Sequence, residues 1–238
     1  MTHIIMPGLD ASDSLDFEPP ISGFEYFNIF DGAATLRRNL INGKPALTAA
    51  GLPTFNAAGW AEFTGQANYL QSGIAETSNL TLVTLSRGVG IVDTGTRAMF
   101  ISNFSAAGIG SAGSSIYAPD EVRIGGSLQG NNGGSSVIVS ATETQNPNAW
   151  GFRVWIVNAS GAARYLDLTH GIDKSANLTY PRALGSNTYR IGSSYSSSYP
   201  GRSDHIMAGI LQRAITLDEA RALYPVAQEV ASRMGIAV

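Results

Sequence analysis

The 238-residue chain contains no cysteine. That excludes a disulfide framework, a thiolate metal site and a cysteine nucleophile. It fits folding in a reducing compartment. Lysine is nearly absent: Lys44 and Lys174 are the only two, and the other cations are arginine, the more weakly hydrated and interface-prone of the pair. Charged residues make up only 14% of the chain and the formal net charge is −3, which argues against nucleic acid as a partner. No apolar run approaches membrane-spanning length, so no membrane partner is expected. The opening MTHIIMPGLDASDS lacks the basic region and long apolar core of a secretory signal. No internal repeat is evident.

Catalytic patterns are missing as well. The three histidines, His3, His170 and His205, have no metal-ligand spacing. His205 follows Asp204, but no nucleophile-elbow Gly-x-Ser-x-Gly supplies a serine, and the position reads as a strand-edge residue. No paired-carboxylate array of the glycosidase kind occurs. The Gly-rich GIGSAGSS (108–115) lacks the lysine of a phosphate loop and reads as a flexible loop. The one suggestive stretch is GIVDTGT (90–96), which looks like an aspartic protease loop. Such a protease needs two facing carboxylates that share a proton, and the chain holds a single copy. The stretch is therefore expected to be a turn, with Asp93 and Thr94 bonding local backbone and Gly95 at positive φ. No enzyme activity, cofactor or metal is expected; a hydrolase ranks third among the functional readings.

What is present is glycine, 27 residues of it, and short β-prone segments between turn residues. Strands are expected at FEYFNIF (24–30), LTLVTLSR (80–87), AMFISNF (98–104), SVIVSATE (136–143), FRVWIVN (152–158), ARYLDLT (163–169) and TYRIGSS (188–194). LQGNNGGSS (128–136) and SSYSSSYPGRSD (193–204) read as loops. One helix is expected at about 216–234, with Thr216 and Glu219 as a capping box, Pro225 as an interruption or kink, and Gly235 as the stop. The fold class is all-β: a two-sheet antiparallel jelly-roll sandwich over residues 23–238, with the short helix against one edge or end. Residues 1–22, which end in Pro19-Pro20, form an extended arm. Residues 1–36 hold Asp10, Asp13, Asp16, Glu18, Glu25 and Asp31 and no cation.

The C-terminal stretch YRIGSSYSSSYPGRSDHIMAGILQRAITLDEARALYP resembles the end of concanavalin A-like, laminin-G-type jelly-roll domains. Arg190, Ile191 and Gly192 match one strand, and Ile206, Ala208, Ile210, Arg213, Ala214, Ile215, Thr216 and Glu219 match the strand and helix start that follow. Phe63, Gly65, Tyr69 and Leu70 fit the family's first half. The tail Arg233, Gly235, Ile236 and Val238 is similar to the ending of laminin-G-type proteins of tailed bacteriophages. Calcium sites occur in such domains; Asp93, Asp167 and Asp173 are available oxygens but form no convincing cluster.

The resemblance implies a non-catalytic structural component of a virion, either a capsid decoration or a tail or fibre protein, assembled in the bacterial cytoplasm. Its partners would be other virion proteins and further copies of itself. The acidic arm would dock on neighbouring subunits through Ile4, Ile5, Leu9, Asp10, Asp13, Leu15, Asp16 and Phe17. The alternative is a lectin-like module for a cell-surface glycan. Its candidate residues are Tyr195, Tyr199, Arg202, Asn131 and Asn132, all expected on loops, where rings stack on sugars and polar groups take hydroxyls. Trp60, Trp150 and Trp155 are expected in the core.

Overall fold

The computed structural model describes residues 18–105 and 112–238. The arm residues Ile4, Ile5, Leu9, Asp10, Asp13, Leu15, Asp16 and Phe17 lie outside the described residues. Among the described residues fifteen strands and a single 3-10 turn (Ala33–Thr35) precede one α-helix. The first eight are β1 (Phe24–Ile29), β2 (Thr48–Ala50), β3 (Thr54–Phe55), β4 (Ala61–Thr64), β5 (Tyr69–Ala75), β6 (Leu80–Val89), β7 (Ala98–Ser102) and β8 (Ser114–Ala118). Then come β9 (Arg123–Asn132), β10 (Ser135–Thr144), β11 (Gly151–Val157), β12 (Ala162–Asp167), β13 (Ile172–Asn177), β14 (Thr188–Ile191), β15 (Arg202–Leu211) and helix α1 (Leu217–Arg233).

They form two antiparallel sheets. The back sheet runs β13-β12-β11-β6-β15-β4-β3, with β1 also paired to β15; the front sheet runs β10-β9-β8-β7-β14-β5-β2. β15 is long enough to serve two partners on one side, β4 along Arg202–His205 and β1 along Met207–Leu211. Between the sheets lies one apolar core built from alternate residues, among them Leu82, Ile101, Ile116, Leu128, Trp155, Ile191 and Ile210.

A second apolar layer sits behind the back sheet, where α1 packs. Ala220, Leu223, Ala227, Val230 and Ala231 cover Val83, Leu85, Phe152, Val154 and Met207. The Tyr224 ring stacks on Phe152 at 5.8 Å. The helix thus lies across the face of the sheet, not at its edge or end. Its spacing explains why: buried positions recur every three or four residues and give one apolar stripe. A covered face also accounts for the sequence of β6 and β11, whose residues are buried almost throughout, on both sides of the sheet.

The helix ends as its sequence demands. Thr216 Oγ1 accepts the Glu219 amide at 3.2 Å, and Glu219 returns a carboxylate to the Thr216 amide at 2.8 Å. At the far end Gly235 takes φ +72°, its amide donates to Ser232 and that of Ile236 to Ala231, a Schellman closure. Pro225 does not interrupt α1, which runs unbroken from Leu217 to Arg233. Pro225 is exposed, so the carbonyl it leaves without a donor one turn earlier faces water.

Candidate functional site

The front sheet has an outward face that α1 does not cover. Residues directly paired across it are Ser140, Ser127, Ser115, Ser102, Arg190, Gln71 and Thr48. Their chain neighbours Val139, Leu128, Ile116, Ile101, Ile191 and Leu70 point into the core, so this polar row points out. Ser102 and Ser115 share a hydrogen bond at 2.7 Å. The row makes a floor of small hydroxyls on which larger groups can lie.

The loop between β14 and β15 lies on that floor. The Tyr195 amide donates to the Phe104 carbonyl at 2.9 Å, and the Gly201 amide to Arg97 at 2.9 Å. Gln66 Nε2 donates to the carbonyls of Ser194 and Ser196. Within the loop Ser193, Ser194 and Ser196 are buried, and Tyr195 and Tyr199 are half-buried.

Two stacks of rings and guanidinium groups result. Arg190 lies between Tyr69 and Tyr195, its guanidinium carbon 4.2 Å and 3.5 Å from the ring centres. It is held there by Gln71 Oε1 at 2.9 Å and the Ser194 carbonyl at 2.8 Å. The Tyr195 hydroxyl donates to the Thr188 carbonyl at 3.0 Å, which fixes the ring. In the second stack Arg97 sits 4.4 Å over Tyr199, whose ring meets Phe104 and Tyr117 edge-on, each at 6.1 Å. Burial pushes the phenols of Tyr199 and Tyr117 up, so both are neutral hydrogen-bonding groups. Tyr117 bonds Ser140 at 3.0 Å, extending the aromatic cover across the serine floor.

The protein partners of Arg97 and Arg190 are neutral oxygens: the carbonyls of Ser198 and Ser194, and Gln71. Eight other arginines are matched by a carboxylate, while Arg37, Arg38 and Arg202 form no ion pair among the described residues. Arg87 holds Asp204, Arg153 holds Asp167, Arg164 holds Asp173 and Arg182 holds Glu76. Among the described residues the two stacked arginines therefore carry positive charge with no carboxylate against it, and Nη2 of Arg190 and both Nη atoms of Arg97 remain as donors.

Of the residues singled out from sequence, Tyr195 and Tyr199 come together here, both against Phe104. The other three do not join them. Arg202 begins β15 in the back sheet, paired with Thr64 and Val89, where its charge acts on Asp204. Asn131 and Asn132 end a strand instead of lying in a loop. Asn131 donates its amide to Pro181 and accepts the Gly134 amide in the hairpin turn. They sit on β9, three strands from β14, or roughly 14 Å at the usual strand spacing. Tyr69, Arg97 and Arg190 were not among the sequence candidates for this role.

The other suggestive letters have structural explanations. Asp93 is exposed, and its Oδ1 accepts the Thr96 amide at 2.9 Å. The turn is as expected, but Thr96 and not Thr94 answers Asp93, and the positive φ belongs to Gly90, not Gly95. His205 is not at a strand edge. It is fully buried between the sheets, with Ser203 Oγ 3.0 Å from one ring nitrogen and Thr84 Oγ1 3.3 Å from the other. Burial, aided by the charge of Arg153, lowers its pKa to about 3, so it is neutral. Trp155 lies in the core, whereas Trp60 and Trp150 are half-buried and flank Arg87 on the outer side of the back sheet. No group of three potential metal ligands occurs among the described residues. Asp167 is occupied by Arg153 and His170, and Asp173 by Arg164.

No protein-family model and no curated protein matches the chain. Solved structures do. The chain is similar to the binding domain of botulinum neurotoxin serotype G, with a TM-score of 0.62 and 12% identity over 86% of this chain and 51% of that one. The serotype D binding domain gives 0.62 and 9% identity over 87% and 51%. The binding domain of Paraclostridial Mosquitocidal Protein 1 gives 0.58 and 11% identity over 87% and 52%. The chain thus spans about half the length of these neighbours. At such identities the likeness is one of fold: a β-sandwich of the kind that the resemblance to concanavalin A-like domains implies.

Proposed function

We propose that the chain is a non-catalytic recognition module that binds a cell-surface glycan on the outward face of its front sheet, at Tyr69, Arg97, Arg190, Tyr195 and Tyr199. The observation that carries this reading is the pair of tyrosine–arginine stacks on the 193–201 loop, whose guanidinium groups have no carboxylate partner. Sugars present apolar faces and a rim of hydroxyls, and half-buried tyrosines offer the same combination of apolar body and polar tip. The unmatched guanidinium forks favour a sugar that bears a carboxylate, which they take in two parallel hydrogen bonds. The neighbouring folds are named as binding domains, and one is described in complex with SialylT, which agrees with this class of ligand.

The virion placement rests on the tail Arg233, Gly235, Ile236 and Val238. The closure of α1 already accounts for Gly235 and Ile236, and Ile236 and Val238 pack on the layer beneath the helix. The glycan reading is therefore preferred. A glycan array tests it, followed by titration of the best ligand. The expected hits carry sialic or uronic acids, and Arg190→Gln and Arg97→Gln each weaken binding about tenfold, the loss of one charge-assisted contact. Arg202→Gln and Asn132→Ala bind as the parent does. An array without hits, or arginine variants that bind normally, refutes the assignment.

A further inference from the structure

The two stacks on the front sheet are anchored separately. Arg190 is held by Gln71 and the Ser194 carbonyl between Tyr69 and Tyr195, and Arg97 by the Ser198 carbonyl over Tyr199. Among the described residues no side chain takes part in both. Arg190 is paired with Ser102, and Arg97 comes five residues before Ser102, roughly 16 Å away at the rise of a strand. The 193–201 loop follows the same course, since the Tyr195 amide reaches Phe104 and the Gly201 amide reaches Arg97. Between the two tyrosines stand Ser197 and Ser198, both exposed. The loop backbone there is fixed by its own serines: Ser194 Oγ accepts the Ser196 amide at 3.1 Å, and Ser196 Oγ accepts the Ser198 amide at 3.2 Å. Residues 188–203 include no Asp or Glu, and Asp120, whose charge acts on Tyr117, is taken by Arg123.

We propose that the ligand of this face is a polyacidic glycan, a chain in which carboxylated sugars recur, and that it lies along the 193–201 loop with one carboxylate on Arg190 and another on Arg97. This rests on the glycan reading above and names its ligand class. One carboxylate does not serve both forks, because each of its oxygens needs a donor within about 3 Å and each guanidinium is already fixed in its own stack. A neutral sugar leaves both charges unanswered, and a single acidic sugar leaves one. Two acids carried on one chain answer both, since the linkage holds the second at a high effective concentration beside its fork. The sugar between them lies against Ser197 and Ser198, whose hydroxyls both donate and accept. The loop is ordered before the ligand arrives, so little ordering cost opposes binding. A loop without carboxylates also spares a polyanion the like-charge repulsion that would turn it away.

Calorimetric titration of the full chain with two length series is the test: oligogalacturonic acid and α2,8-linked oligosialic acid, each from one to six sugars. One series is expected to show a step, in which a ligand long enough to reach both forks binds about tenfold tighter than the single sugar, the gain of one more charge-assisted contact. The series that shows it identifies the acid. Arg97→Gln and Arg190→Gln are each expected to remove the step, with circular dichroism unchanged. Methyl-esterified oligogalacturonate, neutral at the same lengths, is expected to show none. The length series needs only the parent chain, so it decides the outcome even where a variant folds poorly. Two series without a step, in which the single sugar binds as tightly as the hexamer, overturn the proposal and leave the glycan reading standing. A step that survives either arginine variant overturns it too. A glycan array on which no acidic sugar is retained overturns both readings.

Discussion

Acidification from about pH 7 to pH 5 should destabilise this protein through one residue, His205. The ring is fully buried and is bordered by Phe63 at 5.3 Å and Phe100 at 6.1 Å, with only the hydroxyls of Ser203 and Thr84 as polar contacts. The nearby charge is Arg153, itself tied to Asp167, and it too opposes a second cation. The folded pKa is lowered from 6.5 to about 3. The unfolded chain therefore takes up this proton first, and stability falls as pH drops below 6.5. The slope is about 1.4 kcal/mol per pH unit, so pH 5 costs about 2 kcal/mol. Glu76 and Asp204 act in the opposite sense, because burial raises their pKa values and the folded state gains their protons first. Urea denaturation of the parent and of His205→Gln at both pH values removes these shared contributions. The parent should lose about 2 kcal/mol more than the variant over this range. Equal losses would refute the assignment of a neutral, water-excluded imidazole.

Thr216→Ala removes the cap of α1 and should cost about 1 kcal/mol, read by thermal unfolding. The same cap makes the helix acid-sensitive. Hydrogen bonds from Arg213 and the Thr216 amide hold the Glu219 carboxyl down at about 2, so its contribution is present above the ordinary carboxylate range and is lost as pH falls from 4.5 toward 2. Arg153→Met strands the buried Asp167 and should cost about 3–5 kcal/mol, whereas Arg153→Met with Asp167→Leu should recover most of that loss. Gly126→Ala places a methyl carbon 2.1 Å from Trp155 Cε3 and should cost about 1–3 kcal/mol, with a changed near-ultraviolet tryptophan signal.

Gly126 also shows why part of the front sheet was hard to see in the sequence. β8 and β9 read SSIYA and RIGGSLQGNN, small and glycine-rich, and glycine weakens a strand by propensity alone. Gly126 is there because the Trp155 ring lies directly over it and leaves no room for a side chain, while Gly125 is closed in by the backbone of Ala141 and Thr142 and Gly130 by Leu178. Tertiary contact outweighs propensity, and a local reading sees only the propensity. By contrast β6, β11 and α1 were legible, since apolar runs, β-branched residues and a capping box are local signals. The position of α1 was not local. Its stripe announces that something must be covered, and the uniformly buried strands β6 and β11 announce that a second face is covered. Only the sheet order shows that these two requirements meet.

The candidate site was legible in half. Tyr195 and Tyr199 stand out because aromatic residues in a serine-rich loop have no core to join. Arg190, Tyr69 and Arg97 did not stand out, because each sits in or beside a strand and looks like an ordinary outward-facing residue. What distinguishes them is pairing across strands distant in sequence: Arg190 beside Gln71 and Ser102, one residue from Tyr69's own neighbour, and Arg97 bonded to Gly201. Arg202 and Asn132 have the same chemistry as the residues that do assemble. They fail as partners because a strand carries one to the other sheet and a hairpin carries the other three strands away. Arg97 and Arg190 are set apart by stacking on tyrosine rings, and their electrostatics matter as well. Arg153 and Arg182 are buried and have carboxylates, because a buried guanidinium without one is costly. Arg97 and Arg190 are only half-buried, so water meets that cost in the free protein, and a ligand carboxylate that displaces the water finds forks already oriented by Ser198, Gln71 and Ser194.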